Sequence, residues 1–140
     1  MSARIAVLSD VHGNATALDA VRKAFKKDKP DAVIVAGDLV MNGPEPAAAI
    51  DALREMEAAG ATIVQGNTDI AVADFDYGAA FPWLTDGVPD TYRAAAEWAA
   101  SALPGAASSA PRQACWRGTA RPRSASRRPR CRRSRRRSCP

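Results

Sequence analysis

Only one histidine, His12, occurs in the 140 residues. A metal site that needs several imidazoles cannot be assembled from this chain by itself. Cysteine is scarce and late: Cys115, Cys131 and Cys139 are the three present. They form no CxxC pair and have no histidine nearby, which excludes a zinc cluster of the usual spacing. A body without cysteine does not belong to the disulfide-stapled secreted class. No apolar run approaches the roughly 20 residues of a membrane helix. The N-terminus lacks the basic start, long apolar stretch and small-residue cleavage site of a signal peptide. The expected location is cytoplasmic, with no membrane partner.

Acidic residues are missing after Glu97. Residues 1–105 carry 15 acids against 8 bases, a net charge of −7, whereas residues 106–140 carry 12 arginines and no acid. The overall +5 therefore hides two segments of opposite sign. We read residues 1–104 as a folded domain and 105–140 as an Arg/Ser/Pro-rich basic tail. The tail has almost no aliphatic residues, so it cannot bury enough apolar surface to offset its ordering entropy, and disorder is expected. Such a segment binds polyanions non-specifically and with steep salt dependence. Trp116 is its one aromatic residue, too few for reading bases by stacking. Nothing in the sequence sets an oligomeric state.

What is present in the body is an alternation of short apolar runs and helical spacing. Arg4–Ser9 is branched and too short for a helix, so it reads as a buried strand. Ala17, Leu18, Val21, Ala24 and Phe25 then recur at helical spacing, with Asn14 as a candidate N-cap, Lys26, Lys27 and Lys29 near the C-terminus, and Pro30 as a stop. Ala32–Ala36 repeats the strand pattern. Pro46 opens a second helix through Ile50, Leu53 and Met56, closing at Gly60. Ala61–Gln65 is a third strand. This βαβαβ series predicts an α/β fold with parallel strands and right-handed crossovers. Residues 74–89 read as a long loop and 90–103 as a helix. Core packing is the expected use of Phe81, Trp83 and Trp98, with a cleft lining as the alternative.

Each strand runs into polar residues: Ser9-Asp10-Val11-His12-Gly13-Asn14, then Gly37-Asp38, then Gly66-Asn67-Thr68-Asp69. Singly, each has a plain alternative. Asp10 or Asn14 can cap a helix, a lone histidine is usually structural, and Gly-Asp or Gly-Asn pairs mark turns. Together, each at the carboxyl end of its own parallel strand, they converge where such sheets bind ligands. Carboxylates, an imidazole and a carboxamide suit Mn²⁺, Fe or Zn²⁺.

This series, Asp10-x-His12, Gly37-Asp38 and Gly66-Asn67-x-Asp69, resembles the calcineurin-like metallophosphoesterase family, and its surroundings resemble the bacterial phosphodiesterase-like branch. The resemblance covers roughly residues 3–104. It implies the N-terminal half of a β-sandwich flanked by helices. It also implies two divalent metal ions, foremost Mn²⁺, with Fe, Zn²⁺ or Ni²⁺ as alternatives. Asp10 and His12 would bind the first metal, Asp38 would bridge both, Asn67 would bind the second, and Asp69 would orient a neighbour. Two metals about 3.5–4 Å apart clamp phosphoryl oxygens and activate a bridging water. Asp38, Asn67 and Asp69 form the implied catalytic set, acting on a small-molecule phosphoester.

Two departures from the family pattern stand out. Thr68 occupies a position where many members place a histidine that protonates the leaving group. Threonine cannot serve as a general acid near neutral pH, which favours diesters and activated esters. The family's later Gly-His and Gly-His-x-His motifs also have no counterpart, leaving three of four protein ligands for one metal and two of four for the other. On the family pattern the missing half would cover one face of the sheet, so an exposed apolar face is expected. The composition past Leu103 looks like GC-rich coding sequence read out of frame, consistent with a truncated domain. Two readings compete with the enzyme: a non-catalytic half domain that pairs through its bare sheet, and a nucleic-acid binder driven by the tail.

Overall fold

The computed structural model describes residues 2–104. The expectations for residues 105–140 lie outside that range. Three strands, β1 (Ile5–Leu8), β2 (Ala32–Val35) and β3 (Thr62–Ile63), form one parallel sheet in the order β1-β2-β3. Register pairs Val7 with Ile34 and Ile34 with Thr62. The Val64 N–H extends the second ladder onto the Val35 carbonyl at 2.9 Å. The expected α/β architecture with parallel strands is therefore present, with β3 shorter than the apolar run that encodes it.

Helix α1 (Ala15–Asp28) begins where the Asn14 side chain accepts the Ala17 N–H at 2.9 Å. Lys29 closes it in a left-handed conformation, and Pro30 prevents another turn. Helix α2 (Pro46–Ala58) starts on Pro46, whose fixed φ suits a first helical position. Its Ala49, Ile50, Leu53 and Met56 form a buried stripe. With the strand order β1-β2-β3, crossovers of the usual right hand would put α1 and α2 on the same face of the sheet. The helices touch each other there, joined at the surface by the Arg22–Glu55 ion pair at 2.5 Å.

Alternation along the strands makes the two faces unequal. Val35 and Ile63 are buried toward the helices. On the opposite face Ile5 is 59 % exposed, Val7 63 % and Val64 45 %. The first strand is thus partly buried on one face and exposed on the other. This corrects the reading of a fully buried strand and agrees with the expected bare apolar face.

Residues 67–89 depart further from the sequence reading. Helix α3 (Asn67–Asp74) follows β3 directly, and the turn α4 (Tyr77–Ala80) breaks the expected loop. Five of the eight residues of α3 are buried, polar Thr68 and Asp69 among them, so no apolar stripe advertised the helix. Helix α5 (Asp90–Ala102) packs small residues, Ala96, Ala99 and Ala100, against the core. Of the three aromatics assigned to packing, Phe81 is buried, but Trp83 and Trp98 stand about half or more exposed. The alanine stripe fills the contact face of α5 and turns Trp98 outward. Trp83 stays on the surface with its ring edge-on to Phe81 at 5.8 Å. Among the described residues no helix is long and apolar enough to cross a membrane.

Candidate metal centre

Beyond its last ladder bond the β1 chain does not leave the β2 chain. The N–H groups of Asp10, His12 and Gly13 donate to the carbonyls of Gly37, Asp38 and Leu39, at 3.1, 2.8 and 2.8 Å. Two loops are thereby zipped together at the carboxyl ends of their strands. The bonds hold an unusual backbone. Asp10 (φ 57°), His12 (φ 47°) and Asp38 (φ 56°) all lie in the left-handed region, which costs a non-glycine residue on the order of 1 kcal/mol. Asp and His tolerate that region better than most side chains. Three strained residues in register across two loops mark this corner as over-determined by its surroundings.

The strain aims three side chains at one point. Ligand atoms of Asp10, His12 and Asp38 all lie within 4.8 Å of one another. His12 Nδ1 is 2.9 Å from the Met41 carbonyl, an acceptor only, so Nδ1 donates there and Nε2 is the ring nitrogen turned toward the site. Nε2 faces Asp10 Oδ1 at 3.5 Å. The Ser9 hydroxyl donates to the other oxygen of Asp10. Among the described residues no lysine or arginine pairs with Asp10 or Asp38. Two carboxylates beside an imidazole, with no lysine or arginine paired to them, form a donor set that fits a divalent metal.

The third loop locks onto Asp38. Thr68 donates both its N–H (3.1 Å) and its hydroxyl (2.9 Å) to Asp38 Oδ1. Gly66 packs so closely on that carboxylate that any Cβ would collide with it. Asp69, fully buried, accepts three backbone N–H groups: Asp38 at 2.9 Å, Leu39 at 2.8 Å and Gly66 at 2.8 Å. Burial pushes its carboxyl up to about 6, outweighing the N–H donors of Gly66, Leu39 and Asp38 that favour the ionised form. Asn67 opens α3 between Gly66 and Thr68, the two residues that touch the Asp38 carboxylate.

Sequence reasoning placed Asp10, His12 and Asp38 at strand ends, where they are found, and Asn67 and Asp69 after the third strand, where they lie in the first turn of α3. It named Asn14 as a candidate N-cap, and the Asn14 side-chain oxygen caps α1. It missed the Met41 carbonyl behind His12 and the grip of Thr68 on Asp38. Neither could be read locally, because the partners lie 29 and 30 positions apart. A cleft of about 330 Å³ between α1, α2 and the start of β2, lined by Arg22, Lys26 and Glu55, lies at the opposite end of the strands.

The fold and site together define an α/β domain that presents a candidate metal-binding carboxylate–imidazole–carboxylate group at the carboxyl edge of its parallel sheet. The particular family follows from comparison with known families: calcineurin-like phosphoesterase, matched over residues 3–108. The chain belongs to that family, whose members are metal-dependent phosphoesterases. Comparison with individual curated proteins gives no match.

Proposed function

We propose that the chain is a two-metal phosphoesterase acting on phosphodiesters or nucleotide-like phosphoesters with good leaving groups. The convergence of Asp10, His12 and Asp38 from two zipped loops carries this reading. Asp10 and His12 would hold one metal, Asp38 would be shared, and Asn67 would hold the second. Mn²⁺ is the first candidate, with Fe, Zn²⁺ or Ni²⁺ behind it. The metals would supply Lewis-acid polarisation of a phosphoryl oxygen and neutralise its charge.

The residues of the chain do the rest. His12, with Nδ1 committed to Met41, offers Nε2 in one fixed orientation. Asp69 pins the backbone of Asp38 and Gly66, so the second and third loops keep a constant separation. Thr68 cannot donate a proton to a poor leaving group near neutral pH, which selects aryl, nucleotide-like or otherwise activated esters. The single histidine leaves both shells short of protein ligands on the family pattern. Water or groups from another chain would complete them, and slow turnover follows.

The test is hydrolysis of bis-p-nitrophenyl phosphate and p-nitrophenyl phosphate, with and without added Mn²⁺. Metal-dependent turnover, faster on the diester, supports the proposal. If metal binds but neither ester is hydrolysed at high protein concentration, the chain is a non-catalytic member of its family.

A further inference from the structure

We propose that Thr68 is a positioning residue: its hydroxyl turns the Asp38 carboxylate so that one oxygen is committed to the protein and the other is left for metal. The inference rests on the two-metal reading of the site and deepens it.

The argument starts from the asymmetry of Asp38. Both donors from Thr68 go to Oδ1, and Gly66 packs against that same oxygen. Among the described residues no hydrogen bond reaches Oδ2. An unconstrained aspartate rotates about χ2, a broad torsion, and presents either oxygen in many directions. Here Asp69 fixes the Asp38 backbone through its N–H, while Thr68 fixes the side chain. Both residues belong to the first turn of α3, so one rigid element sets Asp38 at two levels.

A purely structural account exists. The first N–H groups of a helix lack partners within it, and Asp38 Oδ1 caps α3 by accepting the Thr68 N–H. That cap needs only the backbone. The hydroxyl bond at 2.9 Å is additional, and it is the part that depends on the side chain. A valine at position 68 keeps the volume and the N–H cap but loses the hydroxyl. A serine keeps both bonds.

The experiment is titration calorimetry with MnCl₂ at neutral pH on the wild-type chain, Thr68→Val and Thr68→Ser, with far-UV circular dichroism as a check of folding. Outer hydrogen-bond partners of metal ligands typically contribute roughly 10–100-fold in affinity. Thr68→Val should therefore bind Mn²⁺ about tenfold or more weakly, and Thr68→Ser should match the wild type. Thr68→Ala replaces Thr68→Val in the comparison if the valine variant does not fold. Equal affinities in all folded variants would overturn the positioning role and leave the two-metal reading intact. No Mn²⁺ binding by the wild type would overturn both.

Discussion

The carboxylate of Asp69 accepts the backbone N–H of Asp38 at 2.9 Å, across 31 positions of sequence. With its bonds to Leu39 and Gly66, this one buried side chain ties the end of β2 to the end of β3. Burial raises the Asp69 carboxyl to about 6, from an unfolded value near 4. A carboxyl raised in the folded state stabilises the fold below its unfolded value, and that stability is lost as pH rises through the folded value. A shift of about two units corresponds to roughly 3 kcal/mol as an upper figure. In denaturant titrations without metal, the advantage of wild type over Asp69→Asn should shrink by up to about 3 kcal/mol between pH 4 and pH 7. A gap that does not change with pH would show that Asp69 does not titrate in this window.

Asp10 and Asp38 bring two carboxylates close together with no lysine or arginine paired to them. Metal should relieve the repulsion between them and bind only the folded chain, so Mn²⁺ should raise the melting temperature. Asp10→Asn should leave the metal-free melting temperature unchanged or higher and abolish the Mn²⁺ response. Differential scanning fluorimetry reads both. A variant that keeps the full response would remove Asp10 from the site.

Gly37 and Gly60 both have positive φ, at 91° and 101°, but only Gly37 is crowded. A Cβ on Gly37 would lie 2.5 Å from the Cα and N of Gly66, whereas one on Gly60 meets nothing within 4 Å. Gly60→Ala should cost about 1 kcal/mol, the conformational penalty alone. Gly37→Ala should cost at least about 2 kcal/mol more. It should also weaken Mn²⁺ binding, because the second and third loops are forced apart. Urea midpoints of the two variants make the comparison.

Asn14 caps α1 through the Ala17 N–H. Asn14→Ala should destabilise the domain by about 1 kcal/mol, and Asn14→Ser should restore most of it. Both variants should keep wild-type KM for the diester. A KM that rises in Asn14→Ala while stability stays constant would mean that this side chain touches phosphate instead.

Much of this protein follows from local pattern. Helices α1, α2 and α5 announce themselves by apolar spacing, because each buries one face and wets the other. The strands announce themselves by short branched runs. Asp10, His12 and Asp38 stand out because each follows its own strand, and parallel topology gathers such ends. Helix α3 carries no such signal. It is surrounded by protein, so its polar Thr68 and Asp69 are buried for their hydrogen bonds, and periodicity does not record them.

By itself, then, the order of residues determined the three strands, helices α1, α2 and α5, the parallel arrangement and the identity of the donor atoms, because these follow from local apolar pattern and the alternation of strand and helix. Tertiary structure alone decided the left-handed backbone at Asp10, His12 and Asp38, the carbonyl behind His12 and the hydroxyl on Asp38. Each requires groups some 30 positions apart to meet within hydrogen-bonding distance, and only the closed sheet brings the three loops together.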